Sequence, residues 1–76
     1  MKAVEVTWVD ATSQHGWYDK DEVRDYQSAV VRSVGYLFSK DKKAIKLCSG
    51  YDSEHRDYAD IHIIPRDWVQ NIREVK

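Results

Sequence analysis

Eight side chains in this sequence have the chemistry to hold a small anion that carries an aromatic ring. They are Trp17, Tyr18 and Tyr36 as stacking faces, Arg32 and Arg66 as cations, and Ser33, Ser13 and Asp10 as hydrogen-bonding groups. Aromatic faces stack on nucleobases for about 1–3 kcal/mol per base. Arginine offers a planar fork that matches phosphate, and a serine hydroxyl adds a donor. Arg32 and Ser33 sit inside an otherwise apolar run, Ala29-Val30-Val31-Arg32-Ser33-Val34-Gly35-Tyr36-Leu37-Phe38-Ser39. A guanidinium buried there needs a partner, because an unpaired buried charge is costly. The partner is either an internal carboxylate, with Asp10 and Asp60 the candidates, or an anion from outside. In the internal arrangement Arg66 caps a turn and the rings belong to the core.

Nothing in the sequence has the pattern of a catalytic set. There is no glycine-rich phosphate loop, no nucleophile elbow and no paired-cysteine metal motif. His15, His55, His62 and Cys48 lack the close spacing of zinc ligands. The acidic stretch around Asp52, Glu54, Asp57 and Asp60 lacks the central glycine and terminal glutamate of a calcium loop, and reads as solvated. Cys48 has no base near it in sequence and reads as a strand residue that fills space. The expectation is a binding protein without catalysis, cofactor or metal.

The elements that must position these residues follow from periodicity. Val4, Val6 and Trp8 alternate with Glu5, Thr7 and Val9, which predicts a first strand to Asp10. A polar loop, Ala11 to Tyr18, leads to a short helix. Asp19 with Glu22 is a capping-box pair, and Tyr18 with Val23 has the spacing of a hydrophobic staple. The helix runs to about Tyr26. The run from Ala29 to Ser39 is the central strand, with Val30, Arg32, Val34, Tyr36 and Phe38 on one face. Val31, Ser33, Gly35 and Leu37 take the other face, and Gly35 allows another group to approach the backbone closely. A lysine-rich turn from Ser39 to Lys43 leads into a third strand, Ala44–Cys48. A long polar loop from Ser49 to Asp57 precedes a fourth strand over Tyr58–Ile64. Pro65 predicts a tight or 3₁₀ turn, and Val69–Val75 returns as a fifth strand.

Five short strands and one small helix, with a turn of this kind before the last strand, predict a mainly β fold. The expected form is a small, partly open, five-stranded barrel of the SH3-like or Sm-like kind. Seventy-six residues make a single domain, 1–76, which buries roughly 60% of its unfolded surface. So thin a margin is often remedied by association, and a homodimer or higher homo-oligomer is expected. Twelve basic residues against 13 acidic ones leave a net charge of −1, which argues against a polymeric nucleic-acid partner. No apolar run is long enough for a membrane span, and the single cysteine with no apolar leader points to the cytosol.

The fragments Trp8-Val9-Asp10-Ala11-Thr12-Ser13, Gly16-Trp17, Val31-Arg32-Ser33-Val34-Gly35-Tyr36-Leu37 and Ile64-Pro65-Arg66, with Ile72-Arg73 following, carry a resemblance. They resemble a family of very small bacteriophage proteins with the pattern Trp-x-Asp-Ser, Gly-Trp, Arg-Ser-Val-Gly-Trp/Tyr and Ile-Pro-Arg. Ala11 and Thr12 stand where a serine is usual, and Trp68 is a second departure. The family is also similar to viral sponge proteins that capture the cyclic nucleotide signals of antiphage systems such as CBASS. That resemblance implies a phage-encoded counter-defence protein in the host bacterial cytoplasm. It would sequester a cyclic dinucleotide such as cyclic GMP–AMP without cleaving it. Trp17 and Tyr36 would stack on bases with Tyr18 assisting, Arg32 and Arg66 would meet phosphates, and Ser33 with Asp10 or Ser13 would bond ribose or base edges. The other function the residues allow is an SH3-like interaction module that docks on a host protein through Trp17, Tyr18 and Trp68.

Overall fold

The architecture is that of a computed structural model, which describes residues 1–11 and 13–75. Thr12, part of the first connecting loop, lies outside the described residues. Strand β1 (Ala3–Asp10) is followed by helix α1 (Lys20–Asp25), β2 (Ala29–Lys40) and β3 (Ala44–Cys48). Then come β4 (Gly50–Asp52), β5 (Asp57–Ala59), β6 (His62–Pro65), a 3₁₀ turn (Arg66–Trp68) and β7 (Val69–Glu74). Five strands form one antiparallel sheet in the order β6-β3-β2-β1-β7, and β4 with β5 forms a separate two-stranded hairpin.

The alternation of β1 decides where the core lies. Val4, Val6 and Trp8 point inward and pair across to Gly35, Ser33 and Val31 of β2. Residues opposite each other in an antiparallel pair share a face, so Val31, Ser33, Gly35 and Leu37 are the inner set. The core is completed by Ile45, Leu47 and Ile64, with Val31, Leu37, Val69 and Ile72 packed at its margin. At Gly35 a side chain would be crowded, and its neighbours would have to give by a few tenths of an ångström. A Cβ there would stand 3.1 Å from the carbonyl oxygen of Cys48 and 3.3 Å from Leu47 Cβ.

Helix α1 begins as its sequence dictates. Asp19 is the N-cap, its carboxylate accepting from the Glu22 amide at 2.8 Å. Pro65 ends β6 and the 3₁₀ turn follows, bringing Trp68 over Trp8 with ring centroids 6.3 Å apart.

The structure departs from the sequence expectation in three ways. The stretch from Ser49 to Asp57 is not one loop, because its two ends pair as β4 and β5 across the turn Ser53–Arg56. The expected strand over Tyr58–Ile64 is broken at Asp60, whose left-handed backbone (φ 51°) turns the chain between β5 and β6. The staple partner of Tyr18 is not Val23, which is exposed. Tyr18 instead packs edge-on against Tyr26 at 5.4 Å. The mainly β expectation is met by the antiparallel five-stranded sheet, which does not close into a barrel among the described residues. Its edge strands β6 and β7 are joined by the 3₁₀ turn rather than by a ladder.

The molecule measures 56 × 23 × 22 Å, with a radius of gyration of 16.2 Å. A compact chain of this length would have about 11 Å. The excess length fits the connection between β1 and β2, whose described residues, α1 included, are all exposed. No helix among the described residues is long and apolar enough to cross a membrane.

Candidate functional site

The predicted site residues fall into five separate places. Ser13, Trp17 and Tyr18 belong to the connection before β2, and Trp17 is fully exposed. Tyr18 is occupied locally, its hydroxyl donating to the His15 carbonyl at 2.6 Å. Asp10 ends β1, opposite Ala29. Ser33 faces inward and accepts a hydrogen bond from Trp8 Nε1 at 3.0 Å, so it holds the core rather than a ligand. Arg66 lies in the 3₁₀ turn, its amide bonded to the Lys43 carbonyl at 2.8 Å. Its Nη1 is buried without a hydrogen-bond partner in the structure.

Arg32 is the main correction. It is exposed on the outer face of β2, opposite Thr7, so no internal carboxylate has to neutralise it. The register with β1 is the reason. Once Trp8, Val6 and Val4 turn inward, every even-numbered residue of β2 from Val30 to Phe38 must turn outward. Neither Asp10 nor Asp60 pairs with it, and Asp60 accepts instead from Ser49 Oγ at 2.8 Å. The nearby acid is Glu5, already gripped by Arg73 through Nε at 3.0 Å and Nη2 at 3.3 Å. That fork holds the Glu5 carboxyl below its ordinary pKa, with the positive charge of Arg32 adding a smaller pull.

Tyr36 does face a cleft, of about 390 Å³, with Met1, Ser49, Gly50 and Tyr51. Its neighbour on the same strand face, Phe38, opens a better-furnished one. Phe38, Lys46, Arg56, Asp57, Tyr58, Ile61 and Ile63 line a cleft of about 400 Å³ on the outer side of the sheet. The Phe38 and Tyr58 rings meet edge-to-face at 4.8 Å, and Tyr51 lies 4.9 Å from Tyr58. Aromatic pairs of this geometry contribute about 0.5–1.5 kcal/mol beyond their burial, so they fix the hairpin over the sheet.

The β4–β5 turn positions the second cation. The Asp52 carboxylate accepts from the Glu54 amide at 3.0 Å and approaches His55 Nδ1 at 2.8 Å, and the Arg56 amide bonds the Asp52 carbonyl at 2.7 Å. The contact with His55 keeps the Asp52 carboxyl below its usual range. Arg56 itself is left-handed, with φ 60°. For a residue with a Cβ that conformation costs roughly 1–2 kcal/mol, which glycine would avoid. A long cationic side chain is therefore held at a strained position beside the cleft.

Sequence reasoning missed Lys46, Arg56, Tyr58, Ile61 and Ile63. One available signal was Tyr51 and Tyr58 flanking a turn-rich Asp52-Ser53-Glu54-His55-Arg56-Asp57 segment. No family model, curated protein or solved structure matches the chain.

Proposed function

We propose that the chain is a non-catalytic binding protein for a small aromatic anion of the nucleotide class. The cyclic dinucleotide that the motif resemblance implies is its leading candidate. The observation that carries this reading is the Phe38–Tyr58 cleft, whose apolar and aromatic lining is flanked by Lys46 and Arg56. A base would lie against the rings and a phosphate between the two cations, with Asp57 the one opposing charge. Tyr36 and Arg32 share that outer face of β2 and extend the surface toward a second base or phosphate. In this reading the curled sheet, with its 3₁₀ turn before the last strand, is an SH3-like barrel left open at one seam. The setting is the one the resemblance supplies, a phage-encoded protein sequestering an immune signal in the bacterial cytoplasm.

Isothermal titration with a panel of cyclic di- and trinucleotides tests the proposal. At least one should bind below micromolar Kd and be recovered intact after heat denaturation. Phe38→Ala should weaken it by about 1–3 kcal/mol, or roughly five- to 150-fold. Flat titrations across the panel reject the ligand class. A second reading, docking on a host protein, is favoured by one observation: the fully exposed Trp17 on a connection that buries none of its described side chains. Capture of a host protein that Trp17→Ala abolishes and Phe38→Ala leaves intact would select it.

A further inference from the structure

Strand β2 is longer than either neighbour, and its partners divide it unequally. Strand β1 covers it from Ala29 to Tyr36, whereas β3 meets it only from Tyr36 to Lys40. From Ala29 to Gly35 the side of β2 away from β1 therefore has no strand beside it among the described residues.

The backbone groups on that open side can be named. The Leu37 amide bonds the Lys2 carbonyl at 2.8 Å, so Leu37 is a residue that turns its main chain toward β1. Direction alternates along an antiparallel strand, so Gly35, Ser33, Val31 and Ala29 do the same. Val30, Arg32 and Val34 then turn their N–H and C=O groups to the open side. None of these six groups has a hydrogen-bond partner among the described residues.

Open edges invite pairing, and proteins guard them with prolines, bulges, charges or brevity. The other two edges of the sheet are guarded. Strand β6 has four residues and ends in Pro65, and β7 carries Gln70, Asn71, Arg73 and Glu74 among its six. The Ala29–Gly35 edge has no proline, its strand's bulge lies beyond it between Leu37 and Ser39, and Arg32 is its one charge. Val30 and Val34 stand exposed on either side of that arginine.

We infer that this edge pairs with the same edge of a second copy, antiparallel about a twofold axis, to give a closed dimer. A second copy is the occupant because an antiparallel strand is its own complement: each N–H finds the partner's C=O, reciprocally. The register that satisfies all six groups sets Val30 opposite the partner's Val34 and Arg32 opposite the partner's Arg32. Each inner set stays inward and each outer set outward, so the two sheets become continuous without refolding. The two guanidiniums repel across the axis, and salt screens that repulsion, so the dimer tightens as ionic strength rises. This pairing does not rest on the ligand reading, because it is measured with no ligand present.

Analytical ultracentrifugation of the full chain across the micromolar range should give a mass near twice the 8.9 kDa of one copy. Val34→Pro removes an amide that only the open edge uses, so it should yield a folded monomer with the β1–β2 ladder intact. If that variant fails to fold, Val30→Lys with Val34→Lys, both exposed positions, replaces it and should give the same monomer. Hydrogen exchange should show the amides of Val30, Arg32 and Val34 protected in the wild-type dimer, and the amides at positions 30 and 32 unprotected in the monomeric variant. A wild type that stays monomeric, a dimer that survives these substitutions, or a dimer that weakens as salt is added overturns the inference.

Discussion

The two faces of β2 carry unequal numbers of apolar residues, and the face with fewer is the one that is covered. The inner face, with Val31, Ser33, Gly35 and Leu37, is the poorer in hydrophobic surface, yet it abuts the buried Val4, Val6, Trp8 and Leu47. The outer face, with Val30, Val34, Tyr36 and Phe38, is richer and stands exposed. The difference shows that a strand's own hydrophobicity does not choose its buried side. The neighbours choose it. Strand β1 has only one strongly apolar face, and the close approach of Cys48 and Leu47 needs a position without a side chain, which Gly35 supplies. Of the outer residues Phe38 packs on Tyr58 of the same chain, while Val30 and Val34 stand exposed, and the proposed ligand cleft and the proposed pairing edge draw on these positions.

That contrast can be broken most severely in the core. Ile45→Ala should cost about 2–5 kcal/mol in urea unfolding, a large share of a small domain's stability, while Val34→Ala on the outer face should cost under about 1 kcal/mol. Equal losses would mean that the outer face is also core. Gly35→Ala comes next, at about 1–3 kcal/mol, because the new methyl must displace a backbone carbonyl rather than a flexible side chain. A neutral result would show that β3 can shift away from β2 freely.

The smallest effect concerns acid. The folded pKa of Glu5 is depressed by Arg73, so its stabilisation is fully present above its unfolded pKa of about 4.3 and is lost as pH falls through the lower folded value. Melting temperature measured from pH 6 to pH 3 should therefore fall less steeply for Glu5→Gln than for the parent chain. A steeper fall would place the acid sensitivity elsewhere, for example at Asp41, whose carboxyl the Ala44 and Lys43 amides hold low.

Local signals were the legible ones. The Val4-Val6-Trp8 alternation, the Asp19 cap and the Pro65 turn each depend on neighbours within a few residues, and each stands where the sequence places it. The hairpin of β4 and β5 was hidden because its strands are three residues long and its polar turn outweighs the two tyrosines that pin it. The break at Asp60 rests on one left-handed residue, and most aspartates do not adopt that conformation, so the residue type alone does not signal it. The candidate site suffered most from the orientation of β2. Arg32 and Ser33 are adjacent in sequence and so lie on opposite sides of the sheet, which no single pocket can span.

The packing of Trp8 has an optical consequence. Its indole is buried, bonded to Ser33 and stacked on Trp68, whereas the indole of Trp17 stands in solvent. Fluorescence from the first reports whether β1 stays packed against the 3₁₀ turn, and fluorescence from the second reports whether anything has settled on the exposed connection. The chain thus carries separate built-in gauges for its folding and for its encounters.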